Sequence, residues 1–329
     1  MCQRLFASFA VWFFLEASLL WGIGTDLPVN ASAENCTPSS QRKISLTVQD
    51  KDGRFVDDLY PEYLTISENK ASREILKLER RTNEPLSVAI LIDTSASQER
   101  TLAGTKLAAQ KFVESILRSS KDRSALVSFT GEATIQQDLT NDLAKLRAAI
   151  DRVKFVPPLG YQGGGVVISN TPPNRAQLLA GSTAIWDAIW VTVDGMTSAA
   201  DSRRVIVLLT DGEDTISKLN LRDAIEHAAK NDIAIFSIGI ANDKGYGLNR
   251  DNLKRLSEET GGRAFFPKKV VDLDAIFSET TQALQSQYVL SYCAANQKPA
   301  AKRVKIEIEV KNPQLRKSNL QLSYPHYGL

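Results

Sequence analysis

Four short apolar runs, Leu86 to Ile92, Ala125 to Phe129, Val205 to Leu209 and Ile233 to Ile240, limit what this chain can fold into more than any other feature. Runs this short and this continuously apolar read as strands covered on both faces, the pattern of a mostly parallel sheet. Between them the period changes. Leu102, Ala109, Phe112, Val113, Ile116 and Leu117 recur at helical spacing, as do Leu143, Leu146, Ile150 and Val153. Leu221, Ile225 and Ala229 repeat the pattern, and Leu253 and Leu256 mark a helix that Gly261-Gly262 terminates. Ala133 to Leu139 and Ala264 to Phe266 supply further strands. This alternation predicts an α/β fold with a doubly wound, mostly parallel sheet over residues 85–286.

In such sheets ligands sit beyond the carboxyl ends of the strands, where the winding reverses. Asp93, Ser95 and Ser97 occupy alternate positions as the first strand ends. A carboxylate and two hydroxyls facing one point suit a hard divalent cation, which takes oxygen ligands and often keeps some water. The same residues also suit a plain turn that caps the next helix. Two more oxygen donors stand at comparable places. Thr183 precedes an apolar helix containing Ile185, Ala188, Ile189 and Met196, and Asp211 follows the strand Val205 to Thr210. Taken singly, the first reads as a helix cap and the second as a turn residue.

The flanks have a period of two. Ile44, Leu46 and Val48 alternate with Ser45 and Thr47, and Asp50-Lys51-Asp52-Gly53 then supplies a turn. That turn is not a calcium loop, because Arg54 stands where a third oxygen ligand is needed. Near the other end Val304, Ile306, Ile308 and Val310 oppose Lys305, Glu307 and Glu309. Neither flank buries much surface alone. Residues 34–84 and 287–329 are therefore predicted to pack together as one small discontinuous β domain.

A chain of 329 residues with 43% hydrophobic content can bury a substantial core. Its formal net charge of +2 comes from scattered residues, and with no basic stripe a nucleic-acid partner is not expected. Arg4 precedes an apolar stretch from Leu5 to Ile23, followed by the small-x-small pattern Ala31-Ser32-Ala33. Residues 1–33 thus read as a signal peptide of a secreted, periplasmic or cell-surface protein. The length of the stretch leaves an uncleaved membrane anchor open, and only then would the chain contact a membrane. Removal of residues 1–33 leaves Cys36 and Cys293, which read either as a disulfide or as two unrelated buried thiols. No enzyme is expected: the two histidines, His227 and His326, lie on an ordinary helix and near the C-terminus. Gly163 to Gly165 lacks the Lys-Ser/Thr of a phosphate loop.

With Asp93, Ser95, Ser97, Thr183 and Asp211 in this order, the chain resembles proteins carrying a von Willebrand factor type A domain. Their metal-ion-dependent adhesion site combines Asp-x-Ser-x-Ser with a distant threonine and aspartate. Thr210-Asp211-Gly212, Ile238-Gly239-Ile240 and Glu259 to Phe266 add to the likeness, which covers residues 85–286. Val48 to Gly53 and Tyr288 to Tyr292 look like the bacterial exported VWFA-related subgroup common in Acidobacteria. The resemblance implies Mg²⁺ or Mn²⁺ held through Ser95, Ser97 and Thr183, with Asp93 and Asp211 acting largely through water. It further implies a protein partner whose Asp or Glu carboxylate completes the metal's coordination. The alternative is a structural accessory protein of the envelope with a weak or vestigial metal site, interacting through its β domain. Ala96 stands where many relatives have glycine, which matters if that turn needs a positive φ. The loop 156–180 is long enough to suggest a recognition surface or an insertion.

Overall fold

The computed structural model describes residues 36–81, 84–117, 120–158, 161–162, 165–166, 179–240, 248–269, 272–295 and 304–328. The signal or anchor segment 1–33 and most of the 156–180 loop lie outside the described residues. No helix among the described residues is long and apolar enough to cross a membrane.

The chain opens with strands β1 (Gln41–Gln49), β2 (Leu64–Glu68), β3 (Ala71–Arg73) and β4 (Ile75–Arg80). The central region follows with β5 (Leu86–Asp93), α1 (Leu102–Ile116), β6 (Arg123–Phe129), β7 (Ala133–Thr140) and α2 (Leu143–Arg152). A two-residue pair, β8 (Tyr161–Gln162) and β9 (Gly165–Val166), precedes α3 (Ile185–Gly195), β10 (Arg203–Thr210) and α4 (Leu221–Lys230). The region ends with β11 (Ile233–Gly239), α5 (Arg250–Glu259), β12 (Ala264–Phe265) and α6 (Leu273–Gln285). The chain then returns through β13 (Tyr288–Cys293), β14 (Val304–Val310), α7 (Pro313–Lys317), β15 (Gln321–Ser323) and β16 (Tyr327–Gly328).

The six central strands lie in the order β12-β11-β10-β5-β6-β7. All pairs are parallel except β6 with β7, which the chain joins directly and runs antiparallel. Every residue of β5 is buried, as its nearly continuous apolar run leads one to expect. Alternate side chains go to opposite faces. Val88, Ile90 and Ile92 pack on one side with Phe112 of α1, Leu146 of α2 and Leu284 of α6. Ala89 and Leu91 pack on the other with Ile189 of α3, Ile225 of α4 and Leu253 of α5. At about 1.5–3 kcal/mol for each fully buried aliphatic or aromatic side chain, these two layers hold the sheet flat against its helices and fix where its strands end. The fold is the doubly wound α/β sheet expected. Helix α6 escaped the sequence reading because its buried face includes the hydroxyls Thr280 and Thr281 beside Phe277 and Leu284, which blurs the apolar period.

The flanking strands form two antiparallel sheets, β15-β1-β13-β4 and β16-β14-β2-β3. Ile44 of β1 pairs with Leu290 of β13, and Ile66 of β2 with Ile308 of β14. Their inner faces share one core that includes Leu46, Ile66, Tyr288, Leu290, Tyr292 and Ile306. Segments from before and after the central region are thus interleaved strand by strand. A disulfide joins Cys36 to Cys293, with Cα atoms 5.8 Å apart. At the Asp50 turn, Asp50 Oδ1 accepts the Asp52 and Arg54 amides and Arg54 pairs with both acids.

Candidate metal site

β5 and β10 are hydrogen-bonded neighbours that run parallel, so Asp93 and Asp211 emerge side by side where the two strands end. Each carboxylate is buried, at 2% and 3% exposure. Asp93 Oδ1 accepts the Ser95 amide at 2.9 Å, and Oδ2 accepts the Thr210 hydroxyl at 2.5 Å. The Thr94 amide and hydroxyl both reach Phe129 O, at 2.9 and 3.0 Å, which fastens the turn to the end of β6. The chain then makes a single 3-10 turn at Ala96–Gln98. It leaves the Ser95 and Ser97 hydroxyl oxygens 3.3 Å apart, Ser95 buried and Ser97 at the surface. Ala96 is not in the left-handed region. This turn therefore does not need glycine, and the concern raised by alanine here falls away.

Asp211 is held from three sides. Its Oδ1 accepts the Glu213 amide at 3.1 Å, its Oδ2 accepts Gln98 Nε2 at 3.1 Å, and its carbonyl accepts the Asn249 amide at 2.8 Å. Gly212 carries the chain away with φ +84°, and a Cβ there would sit 2.8 Å from Leu253 Cγ and 3.0 Å from Asn249 O. Only glycine accepts both the dihedral and the close approach. Gln98 was not anticipated from sequence. Its buried amide also donates to Ser97 Oγ at 3.3 Å and to Ile240 O at 3.3 Å, tying the β5 turn to the ends of both β10 and β11.

Thr183 is placed differently from the other four. The Ala96 amide donates to Gly181 O at 3.3 Å, which brings the Thr183 loop against the β5 turn. The Thr183 backbone is clamped by Thr215: its amide donates to Thr215 Oγ1 at 2.8 Å, and its carbonyl accepts the Thr215 amide at 2.8 Å. Taken singly, Thr183 looked like the cap of the following helix; it is not. Ala184 occupies that position, the Ile185 amide donates to Asp214 Oδ1 at 2.8 Å, and the Trp186 amide donates to Ser217 Oγ at 3.1 Å. Capping is thus done from the loop after Asp211, which relieves the Thr183 hydroxyl of that duty. The structure links Asp93, Ser95, Ser97 and Asp211 through side-chain and backbone bonds at the site, and reaches Thr183 through its loop.

Electrostatically the site is short of positive charge. Neither Asp93 nor Asp211 has an ion-pair partner among the described residues. Burial pushes the Asp93 carboxyl up to about 7, against the hydrogen bonds from Ser95 and Thr210 and with the charge of Asp211 adding to the rise. Burial also raises Asp211, opposed first by a hydrogen bond from Ser97. Two buried acids with neutral hydroxyls beside them fit a divalent cation, whose charge would offset both. Among the described residues no three His, Cys, Asp or Glu side chains are grouped to hold a metal. A cation here would therefore rely on the hydroxyls. The two histidines stand elsewhere: His227 stacks on Trp190 at 3.7 Å and meets Asp194, and His326 packs against Tyr324.

An open, doubly wound sheet with Asp-x-Ser-x-Ser at one strand end and an aspartate at its neighbour's defines a class of oxygen-lined strand-end sites. Residues 88–213 match one family profile described as a von Willebrand factor type A domain, and residues 174–279 match a second of the same description. The chain carries a von Willebrand factor type A domain. No curated protein matches the sequence. Among solved structures, BatB from Bacteroides thetaiotaomicron is 19% identical with a TM-score of 0.46, over 61% of this chain and 99% of that one. Proximal thread matrix protein 1 from the mussel byssus, with zinc in its MIDAS motif, is 12% identical with a TM-score of 0.46, over 63% of this chain and 49% of that one. A von Willebrand factor type A protein from Catenulispora acidiphila is 13% identical with a TM-score of 0.48, over 89% and 74%. Likeness at this level does not indicate what this chain binds.

Proposed function

We propose that this protein is an exported, non-enzymatic binding module that holds Mg²⁺ or Mn²⁺ at Asp93, Ser95, Ser97, Thr183 and Asp211 and engages a partner protein's carboxylate there. The observation that carries the reading is the buried pair Asp93 and Asp211, side by side at the strand ends with no cationic side chain among the described residues to neutralise them. A hard cation with a mostly neutral first shell stays electrophilic and prefers a further anionic oxygen ligand. The chain's own part is to orient donors. Thr210 and the Ser95 amide fix the Asp93 carboxylate, Gln98 fixes Asp211, and the exposed Ser97 hydroxyl marks the open side. The Cys36–Cys293 disulfide supports residence in an oxidising compartment.

Calorimetric titration of Mg²⁺ and Mn²⁺ tests the reading, with Asp93→Ala as the control. The expected result is one saturable site that the substitution abolishes. In the Mn²⁺ form, water-proton relaxation should fall when an acidic peptide is added, as carboxylate displaces bound water. Equal heats from both proteins, or none from either, would reject the metal-dependent reading and leave the β domain as the interaction surface.

A further inference from the structure

At the end of the sheet opposite Asp93, the amino ends of β5 and β10 border a cavity of about 610 Å³. Leu86 pairs with Arg203 at this end, and Ile92 with Leu209 at the other. At about 3.3 Å per residue the cavity lies roughly 20 Å from the metal site. Leu86, Ile116 and Leu284 give it an apolar wall, and Arg203 stands in that wall.

Arg203 is the unusual member. Of the neighbouring cations, Arg80 meets Asp57 at 2.9 Å, while Arg81 lies 3.1 Å from Glu84 and 3.8 Å from Asp232. Arg203 is only 7% exposed, and it makes no ion pair among the described residues. One Nη donates to Gln287 Oε1 at 3.3 Å, and its Nε has no hydrogen-bond partner. Burial pushes its pKa down to about 10 and the charge of Arg81 pushes the same way, while the charges of Glu84 and Asp122 pull it back in part. It is nevertheless charged at neutral pH, so a guanidinium is held inside the protein with Glu84 and Asp122 near it but no carboxylate in direct contact among the described residues, which costs free energy unless a counterion is supplied. The two acids facing the cavity are otherwise engaged: Glu84 lies beside Arg81, and Asp122 accepts the Leu86 amide at 3.0 Å. The volume is that of a small-molecule site.

We propose that this cavity binds a small organic anion, its phosphate or carboxylate seated at Arg203 and its apolar body against Leu86, Ile116 and Leu284. The site is separate from the metal and does not depend on it. An oxyanion supplies the missing counter-charge, and guanidinium groups favour such ligands because their planar donors match two oxygens at once.

The test titrates phenyl phosphate, benzoate and inorganic phosphate into the full chain in the presence of a chelator, so that no metal takes up the anion. Benzylamine is the cationic control. Phenyl phosphate or benzoate should bind at one saturable site, more tightly than inorganic phosphate, and benzylamine should not bind. The tighter of the two aromatic anions identifies the headgroup. Arg203→Gln should weaken binding by about tenfold or more. Lys121→Glu reverses a charge at an exposed lining position and should weaken it several-fold in a chain that still folds by circular dichroism, so the test stands even where Arg203→Gln does not fold. Asp93→Ala should leave the affinity unchanged. Equal affinity for benzylamine, no loss in the Arg203 and Lys121 variants, or no binding of any of the three anions would overturn the proposal.

Discussion

Asp93→Asn should make the metal-free protein more stable at about pH 8, although it removes the carboxylate at the centre of the candidate site. The ordinary aspartate value is 3.8, and in the folded chain burial pushes Asp93 to about 7. Over that interval the folded state keeps a proton that the unfolded state has lost, so the stability of the wild type falls as pH rises. At about 1.4 kcal/mol per pH unit the loss approaches about 4 kcal/mol by pH 7 and then levels off. With Asp93 only 2% exposed, solvent does little to screen this penalty. An asparagine oxygen can still accept the Ser95 amide, while its amide nitrogen requires the Thr210 hydroxyl to turn from donor to acceptor. Allowing about 1 kcal/mol for that rearrangement, the variant should gain about 3 kcal/mol at about pH 8. The gain should shrink below pH 7, vanish at about pH 4.5, and give way to a deficit of about 1 kcal/mol at about pH 3. Guanidinium unfolding of both proteins in chelator, at several pH values, measures the difference directly. Added Mg²⁺ should stabilise the wild type alone and close the gap, because it binds the ionised form. A variant less stable than wild type at pH 8, or a difference constant across the range, would refute the reasoning that Asp93 is buried without compensation.

Gly212→Ala should destabilise the fold by about 1–3 kcal/mol, because the new methyl meets Leu253 and Asn249 at a positive φ; thermal melting checks it, and metal affinity should fall with it. Gln98→Leu should cost about 1–3 kcal/mol by leaving Asp211 Oδ2 and the Ile240 carbonyl without their donor, as read from denaturant midpoints in chelator. Cys36→Ser should cost about 2–5 kcal/mol, since the disulfide closes a separation of 257 residues. Reduction of the wild type should lower its melting temperature to that of the variant.

The sheet was legible because burial on both faces leaves a mark no surface strand makes: β5 is apolar from Val88 to Ile92, and every residue of it is buried. Helix α6 was not legible, because its core face mixes Thr280 and Thr281 with Phe277 and Leu284. Of the candidate site, the strand-end oxygens stood out by their spacing and order. Gln98 did not, and Thr210 stood out only within Thr210-Asp211-Gly212 with no role of its own, since a buried threonine on a strand and a glutamine in a turn have no pattern of their own. Their roles arise only once β5, β10 and β11 end at the same level. The capping of α3 by Asp214 and Ser217 was hidden for the same reason: the acceptors lie about thirty positions from the amides they satisfy. Local sequence favours Thr183 as the cap, and a tertiary contact overrides it.

β5 and β10 connect two places where an ionisable group is buried with no oppositely charged side chain in direct contact among the described residues. Carboxylates stand at one end of the pair and a guanidinium at the other. Packing alone would disfavour both, because an apolar residue of similar size is the cheaper occupant of a core position. On the two proposals, each is matched by a bound partner of opposite sign, a divalent cation at Asp93 and Asp211 and an oxyanion at Arg203. The sheet makes the two independent. Its strands are held between apolar layers, and the roughly 20 Å between the ends exceeds a Debye length of about 8 Å at physiological salt. Sites so far apart, with no shared side chain, contribute to stability nearly additively. On both proposals taken together, the protein without either ligand should be the least stable of its forms, and its stability in the two ligands together should equal the sum of the separate gains.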